Sequence, residues 1–83
     1  MKVRIKFYAM LAEYLPANAI KNEADFECAE GSEITAILKS LNVPMEHCHL
    51  VLVNGVFVAP SERDRRTLAE GDALAIWPPV AGG

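Results

Sequence analysis

The residues in this sequence best suited to chemistry are its last two glycines, Gly82 and Gly83. A C-terminal carboxylate has a pKa of about 3.5, so it is ionised at neutral pH and is a poor electrophile until a partner converts it to an acyl adenylate. Glycine has no Cβ, so this end could pass through a narrow channel and place its acyl carbon beside ATP or a sulfur donor. The pattern favours a chain end that another protein activates; an inert, frayed end is the alternative.

The residues before these glycines form a stalk that consists of Pro78, Pro79, Val80 and Ala81. Proline fixes φ and stiffens the stalk. The extended segment 78–83 spans up to about 20 Å, enough to reach a buried active site while the body stays outside. The composition break at Pro78 divides the chain into a packed body, residues 1–77, and an extended tail, residues 78–83.

Other catalytic or cofactor sites have little support. The glycines are too scattered to form a phosphate-binding loop or a dinucleotide fingerprint, so no bound cofactor is expected. Residues 46–49, Glu-His-Cys-His, are metal-compatible, but contiguous ligands cannot all converge on one ion, which predicts no metal site. Because adjacent residues on a strand point to opposite faces, Cys48 is not expected to form a nucleophile and base pair with either neighbouring histidine, His47 or His49. Residues 63–66 are expected in a solvated loop, with a partner's acidic surface as the alternative.

Composition and charge exclude several classes of protein. With 83 residues, of which 52% are hydrophobic and 23% charged, the chain supports one small domain. Its net charge of -3 and scattered cations argue against binding to nucleic acid. Residues 1–7 lack the apolar core of a signal peptide, and no segment approaches the ~20 apolar residues of a membrane span, so we expect a cytoplasmic protein. Cys28 and Cys48 are then expected as packed thiols, not as a disulfide.

Hydrophobic periodicity predicts the elements that must position the tail. Val3, Ile5 and Phe7 alternate with basic residues, which indicates a half-buried strand. Residues 9–15 have helical spacing, and residues 24–28 alternate again, so a short helix and a second strand follow.

The clearest amphipathic helix begins after Ser32, which we expect to be its N-cap. Apolar residues recur at i, i+3, i+4 and i+7 over residues 34–41, and Pro44 follows their end. Residues 50–53 and 56–58 then form a hairpin, because the Asn54-Gly55 pair between them tolerates positive φ. A last strand over residues 73–77 completes an α+β domain with one main helix against a sheet.

A shared inward phase predicts a core that consists of Val3, Ile5, Phe7, Phe26, Ile34, Ile37, Leu38, Leu41, Leu74 and Ile76. The same phase turns Trp77 and Phe57 outward, with Val56 and Val58 inward. Two large aromatics on the helix-free face predict a partner-binding patch. The alternative is that Trp77 packs locally over the sheet edge.

The segment 67–83, TLAEGDALAIWPPVAGG, resembles the end of the small subunit of molybdopterin synthase. The whole chain resembles the wider MoaD/ThiS family of sulfur carriers from molybdopterin and thiamine biosynthesis. The Gly-Asp turn and the Pro-Pro-Val-Ala-Gly-Gly ending are its most specific motifs. The resemblance implies a ubiquitin-like β-grasp fold, with a mixed sheet packed on one main helix and a flexible tail.

The resemblance also implies a function. A carrier of this kind has its C-terminal carboxylate, here on Gly83, adenylated by an E1-like enzyme that uses ATP, and then converted to a thiocarboxylate. It delivers sulfur inside the large subunit of molybdopterin synthase and is not an enzyme by itself. In that family, residues at the positions of Trp77 and Phe57 dock the large subunit.

Several alternatives remain open. The Pro-Pro ending favours the molybdopterin branch; the alternatives for a similar tail are tungsten cofactor synthesis, thiamine thiazole synthesis and another sulfur-transfer pathway. A protein modifier would join the same activated Gly83 to lysines of target proteins. A plain interaction module with an inert tail is the third possibility.

Overall fold

The computed structural model describes residues 1–79. Its elements follow one another as β1 (Lys2–Phe7), a 3₁₀ helix (Ala9–Tyr14), β2 (Glu23–Glu27), α1 (Ile34–Ser40), a 3₁₀ helix (Met45–His47), β3 (Leu50–Val53), β4 (Val56–Phe57), a 3₁₀ helix (Pro60–Glu62) and β5 (Ala73–Trp77). The predicted α+β class and order of elements are confirmed. No helix in residues 1–79 is long and apolar enough to cross a membrane.

The five strands form one mixed sheet in the order β2-β1-β5-β3-β4. β1 pairs with β5 in parallel, whereas the remaining neighbours are antiparallel. Parallel neighbours require a long crossover connection, and α1 lies within it. The first and last strands of the body therefore lie side by side in the centre of the sheet.

The core lies between one face of the sheet and α1. The predicted core residues that the structure buries are Val3, Ile5, Phe7, Ile34, Ile37, Leu38, Leu74 and Ile76. Phe26 and Leu41 are only half-buried and pack against this cluster. They lie on the edge strand β2 and just after the last turn of α1, where fewer neighbours cover them.

The two helical segments differ from their predictions in detail. Glu33, not Ser32, is the N-cap of α1, and its side chain makes no capping hydrogen bond. The Ser32 hydroxyl instead donates to the Ala29 carbonyl (2.7 Å), while the Ile34 N–H donates to the distant Arg66 carbonyl (3.0 Å). The helix predicted over residues 9–15 is a 3₁₀ helix that buries one residue only, Leu11.

The predicted hairpin is confirmed, and its turn also holds the start of β5. Asn54 and Gly55 have φ angles of 50° and 82°. Asn54 Nδ2 donates to Asp72 Oδ1 (2.9 Å), and Asn54 Oδ1 accepts from the Ala73 N–H (2.9 Å). Asp72 Oδ2 accepts from the Ala69 N–H (2.8 Å). The Gly-Asp turn thus ties the hairpin to the strand that leads to the tail.

Truncation of Leu38 tests the assignment of the core face of α1. We expect Leu38→Ala to lower the free energy of unfolding by about 2 to 4 kcal/mol, because it removes buried methyl groups and leaves a cavity. The exposed neighbour provides a control, Lys39→Ala, with an expected change within about 0.5 kcal/mol. Urea denaturation measures both, and equal small losses would show that the helix face is misassigned.

The pH dependence of stability tests the Asp72 contacts. The Ala69 N–H and then the Asn54 side chain hold the pKa of Asp72 below its usual value. A carboxyl whose pKa is lowered by folding stabilises the fold above its unfolded pKa, about 3.9, and loses that contribution as the pH falls through the folded pKa. We expect the melting temperature of Asp72→Asn to lie below that of the wild type at about pH 7. The difference between the two melting temperatures should shrink below about pH 4. A pH-independent difference in thermal melts would contradict this cause.

Candidate functional site

The tail begins at the end of β5, in the centre of the sheet. Trp77, the last residue of β5, pairs with Leu50 of β3, and its carbonyl accepts a hydrogen bond from the His49 N–H (2.9 Å). Pro78 is buried and Pro79 is exposed. Because neither proline has an N–H to donate, strand pairing ends here. The sheet thus holds the chain up to Trp77, directly before the first residue of the tail.

The predicted covalent site lies outside the described residues. It is Gly83, and the residues that precede it there are Val80, Ala81 and Gly82. That Gly83 carries the activated carboxylate therefore stays a prediction.

The face of the sheet opposite α1, the outer face, carries apolar side chains beside Trp77. Directly paired residues lie on the same side of a sheet. Leu50 pairs with Trp77, and Leu52 pairs with both Ala75 and Phe57. These five residues are termed the apolar patch. Phe57 is its most exposed member, at 55%, and Trp77 is half-buried. Their predicted outward phase is confirmed; that they bind a partner stays a prediction.

Trp77 also makes a local contact that sequence reasoning missed. Its ring stacks on that of Tyr8, with the ring centroids 4.2 Å apart and the planes 7° from parallel. Tyr8 directly follows β1, and its N–H donates to the Ile76 carbonyl (3.1 Å). The outward phase of Lys2, Arg4 and Lys6 continues to residue 8 and could have placed this tyrosine beside Trp77. The stack covers one face of the indole and fixes its orientation.

The other half of the outer face is charged. Arg4 Nε lies 3.1 Å from Glu23 Oε1, and Arg4 Nη1 lies 2.9 Å from Asp25 Oδ1. Lys2 and Lys6 likewise stand opposite acidic residues of β2 in the register of the sheet. Exposed pairs of this kind contribute little to stability, about 0 to 1 kcal/mol. The outer face is therefore divided into a charged half, on β1 and β2, and the apolar patch.

Val56 does not point inward as predicted: its side chain is 67% exposed. β4 has only two residues and lies at the edge of the sheet, so Val56 emerges from the turn before the strand reaches the core. Val58, two residues later, is buried as predicted. Val56 and Phe57 line a pocket of about 340 Å³ together with Arg66.

Cys48, beside two histidines in the sequence, is a buried thiol. The Cys48 side chain is 5% exposed, and its thiol donates to the Pro44 carbonyl (3.6 Å). Burial raises the pKa of the Cys48 thiol, which leaves less of the nucleophilic thiolate. Cys28 and Cys48 are both free thiols. Within residues 1–79, no group of three His, Cys, Asp or Glu side chains is arranged to hold a metal ion.

Arg63 departs from the prediction that residues 63–66 form a solvated loop. Asp64, Arg65 and Arg66 are exposed, but Arg63 is only 8% exposed. Its side chain turns inward and donates hydrogen bonds to backbone carbonyls. A charged run gives no sequence signal for such burial, because two of the three accepting carbonyls, those of Cys48 and His49, lie in a distant segment.

Comparison with protein families matches residues 5–83 to the ThiS family. No curated protein matches the chain. Three of the similar solved structures align with this chain over 100% of its length and over 100% of their own. They are SAMP1 from Haloferax volcanii (24% identity, TM-score 0.70), the thiamine biosynthesis protein ThiS from Geobacter metallireducens (21%, 0.67), and the protein–protein complex of subunits 1 and 2 of molybdopterin-converting factor from Helicobacter pylori (21%, 0.62).

At these identities the solved structures establish the fold alone, and they confirm the predicted ubiquitin-like β-grasp arrangement of a mixed sheet on one main helix. The family match is independent of them and extends over almost the whole chain. By that match, the chain belongs to the ThiS family of ubiquitin-like sulfur carriers.

Proposed function

We propose that this chain carries sulfur on the C-terminal carboxylate of Gly83. The observation that carries the proposal is the match to the ThiS family, which extends through the Gly-Gly end. The place where the tail begins supports it, because the preceding strand, β5, is the central strand of the sheet. The chain supplies the reacting group, and its partners supply the catalytic residues.

The proposed chemistry needs an activating partner. The carboxylate attacks the α-phosphorus of ATP on an E1-like enzyme, pyrophosphate leaves, and an acyl adenylate forms at Gly83. Sulfur at the oxidation level of sulfide, supplied by a donor, then attacks the acyl carbon, AMP leaves, and a thiocarboxylate forms. Glycine suits both steps, because no side chain blocks the approach to the acyl carbon.

We further propose that the acceptor pathway is molybdopterin synthesis, for the molybdenum or tungsten cofactor, with the large subunit of molybdopterin synthase as the second partner. The Pro-Pro-Val-Ala-Gly-Gly ending supports this branch through its resemblance to the small subunit of that enzyme. The Helicobacter pylori relative of similar fold, described as a complex of two subunits, supports a mode of action that requires a partner.

The apolar patch is the proposed docking surface for both partners. Phe57 and Trp77 are its large aromatic members, and aromatic side chains contribute much of the binding energy of protein interfaces. Trp77 is also the residue from which the tail departs, so docking there brings the tail to the partner's active site. The charged half of the outer face is suited to orienting the encounter, since charges act mainly on association rate and specificity.

Removal of one residue tests the covalent site. We expect deletion of Gly83 to abolish thiocarboxylate formation while the melting temperature stays nearly unchanged, because an unpaired terminal residue contributes little to stability. Intact-mass spectrometry after incubation with the E1-like enzyme, ATP and a sulfur donor detects the exchange of oxygen for sulfur. The control is Cys28→Ser, which should exchange normally. Exchange at a cysteine, or none in the wild type, would reject the carrier function, and higher-mass conjugates on lysines would identify a modifier instead.

Truncation of the aromatics tests the docking surface. We expect Phe57→Ala and Trp77→Ala each to weaken binding to the large subunit and to the E1-like enzyme by about 2 kcal/mol or more. Trp77→Ala also loses the stack on Tyr8, worth about 0.5–1.5 kcal/mol of stability. Ile20→Ala is the control, because Ile20 is 75% exposed but does not belong to the apolar patch. Isothermal titration calorimetry measures the affinities; unchanged affinities with a collapsed melting temperature would reassign both aromatics to the core.

A further inference from the structure

Arg63 is the one charged side chain that the described part of the chain buries. The ion pairs found in residues 1–79 are those of Arg4 with Glu23 and Asp25. Arg63 is therefore buried without a carboxylate partner among these residues. Taking a guanidinium out of water is costly, and an apolar side chain of similar volume often stabilises a core as well or better. The burial of Arg63 therefore points to a task that an apolar side chain could not perform.

The guanidinium of Arg63 fixes the geometry of one short segment. Nη1 donates to the Cys48 carbonyl (2.7 Å), and Nη2 donates to the next carbonyl along the chain, that of His49 (3.1 Å). Nε lies 3.5 Å from the Val58 carbonyl, just after β4. A planar fork that binds two consecutive carbonyls restricts their orientation, which a lysine ammonium cannot do as well.

His49 connects this clamp to the tail. Its carbonyl accepts from Arg63, and its N–H donates to the Trp77 carbonyl (2.9 Å). Since Pro78 and Pro79 have no N–H, these two residues cannot donate a hydrogen bond to a neighbouring strand. The orientation of the His49 backbone thus sets the direction of the Trp77 carbonyl, from which the tail departs.

We propose that Arg63 is a positioning residue for the activation of the tail. It orients the His49 backbone, and through it the end of β5, so that the tail points in one direction when the body docks. The inference rests on the proposed function. Because Arg63 lies outside the apolar patch, it acts on the rate at which the docked tail is adenylated and not on the affinity of docking.

Steady-state kinetics of adenylation test the proposal. Arg63→Met keeps an unbranched side chain but removes every donor, and Arg65→Met makes the same change at an exposed neighbour. With the cognate E1-like enzyme, we expect Arg63→Met to lower kcat for pyrophosphate release by about tenfold or more, while KM for the carrier changes less than about twofold. Arg63→Lys, which keeps the charge and some donors, should recover part of kcat. Arg65→Met should match the wild type.

Hydrogen exchange of the free protein provides a readout that needs no enzyme. We expect Arg63→Met to speed exchange of the His49 amide by about tenfold relative to the Ile5 amide in the sheet centre. A variant that is merely destabilised would speed both amides alike. If Arg63→Met does not fold, Arg63→Lys is measured in the same way.

Unchanged kcat, a rise in KM alone, or unchanged His49 exchange in the variants would overturn the positioning role. Failure of the wild-type chain to be adenylated would instead reject the proposed function. In that case the exchange measurement still decides whether Arg63 orients the His49 backbone.

Discussion

The parallel pairing of β1 with β5 is the interaction on which the rest of the structure depends. It places Ile5 beside Leu74 and Phe7 beside Ile76, and all four side chains are fully buried. Ile34, Ile37 and Leu38 of α1 belong to the same core cluster as these side chains, and β2 and β3 extend the sheet from the pair in either direction. Since the two strands come from opposite ends of the body, the core closes only when the last strand is in place. The tail therefore begins after a strand that is paired on both sides, with β1 and with β3.

The sequence predicted those features of the fold that depend on local pattern. The alternation of Val3, Ile5 and Phe7 set the face of β1, and the bounds of β5 were predicted to the residue because Gly71-Asp72 and Pro78-Pro79 enclose it. The order of the strands in the sheet was not predicted, because strand pairing partners are chosen over long range. The prediction of Ser32 as the N-cap of α1 was wrong for a similar reason. The Ile34 N–H donates to the carbonyl of Arg66, which is distant in the sequence.

The site was predicted less evenly than the fold. Strand phase was sufficient to turn Trp77 and Phe57 outward, because each lies in a register fixed by a buried neighbour. The prediction from strand phase was wrong for Val56. This residue begins a two-residue strand at the sheet edge, which is too short for alternation to place its side chain in the core. Arg63 was wrongly predicted to be solvated because arginine is usually exposed, and only the three-dimensional structure shows that the carbonyls of Cys48 and His49 converge on it. The chemistry was thus inferred from the tail sequence alone, whereas the buried contacts of Arg63 could not be inferred from the sequence.

The acidic side of β2 has a consequence for the behaviour of the protein at high concentration. β2 is an edge strand, and Glu23, Asp25 and Glu27 project from one side of it. The Asn18 amide also occupies the Asp25 carbonyl (3.3 Å), so part of the free edge is already covered. Two copies that met edge to edge along β2 would bring like charges together, which disfavours continuous sheets of the kind found in fibrils. The acidic side chains of β2 thereby oppose self-association in a protein whose outer face also carries the apolar patch.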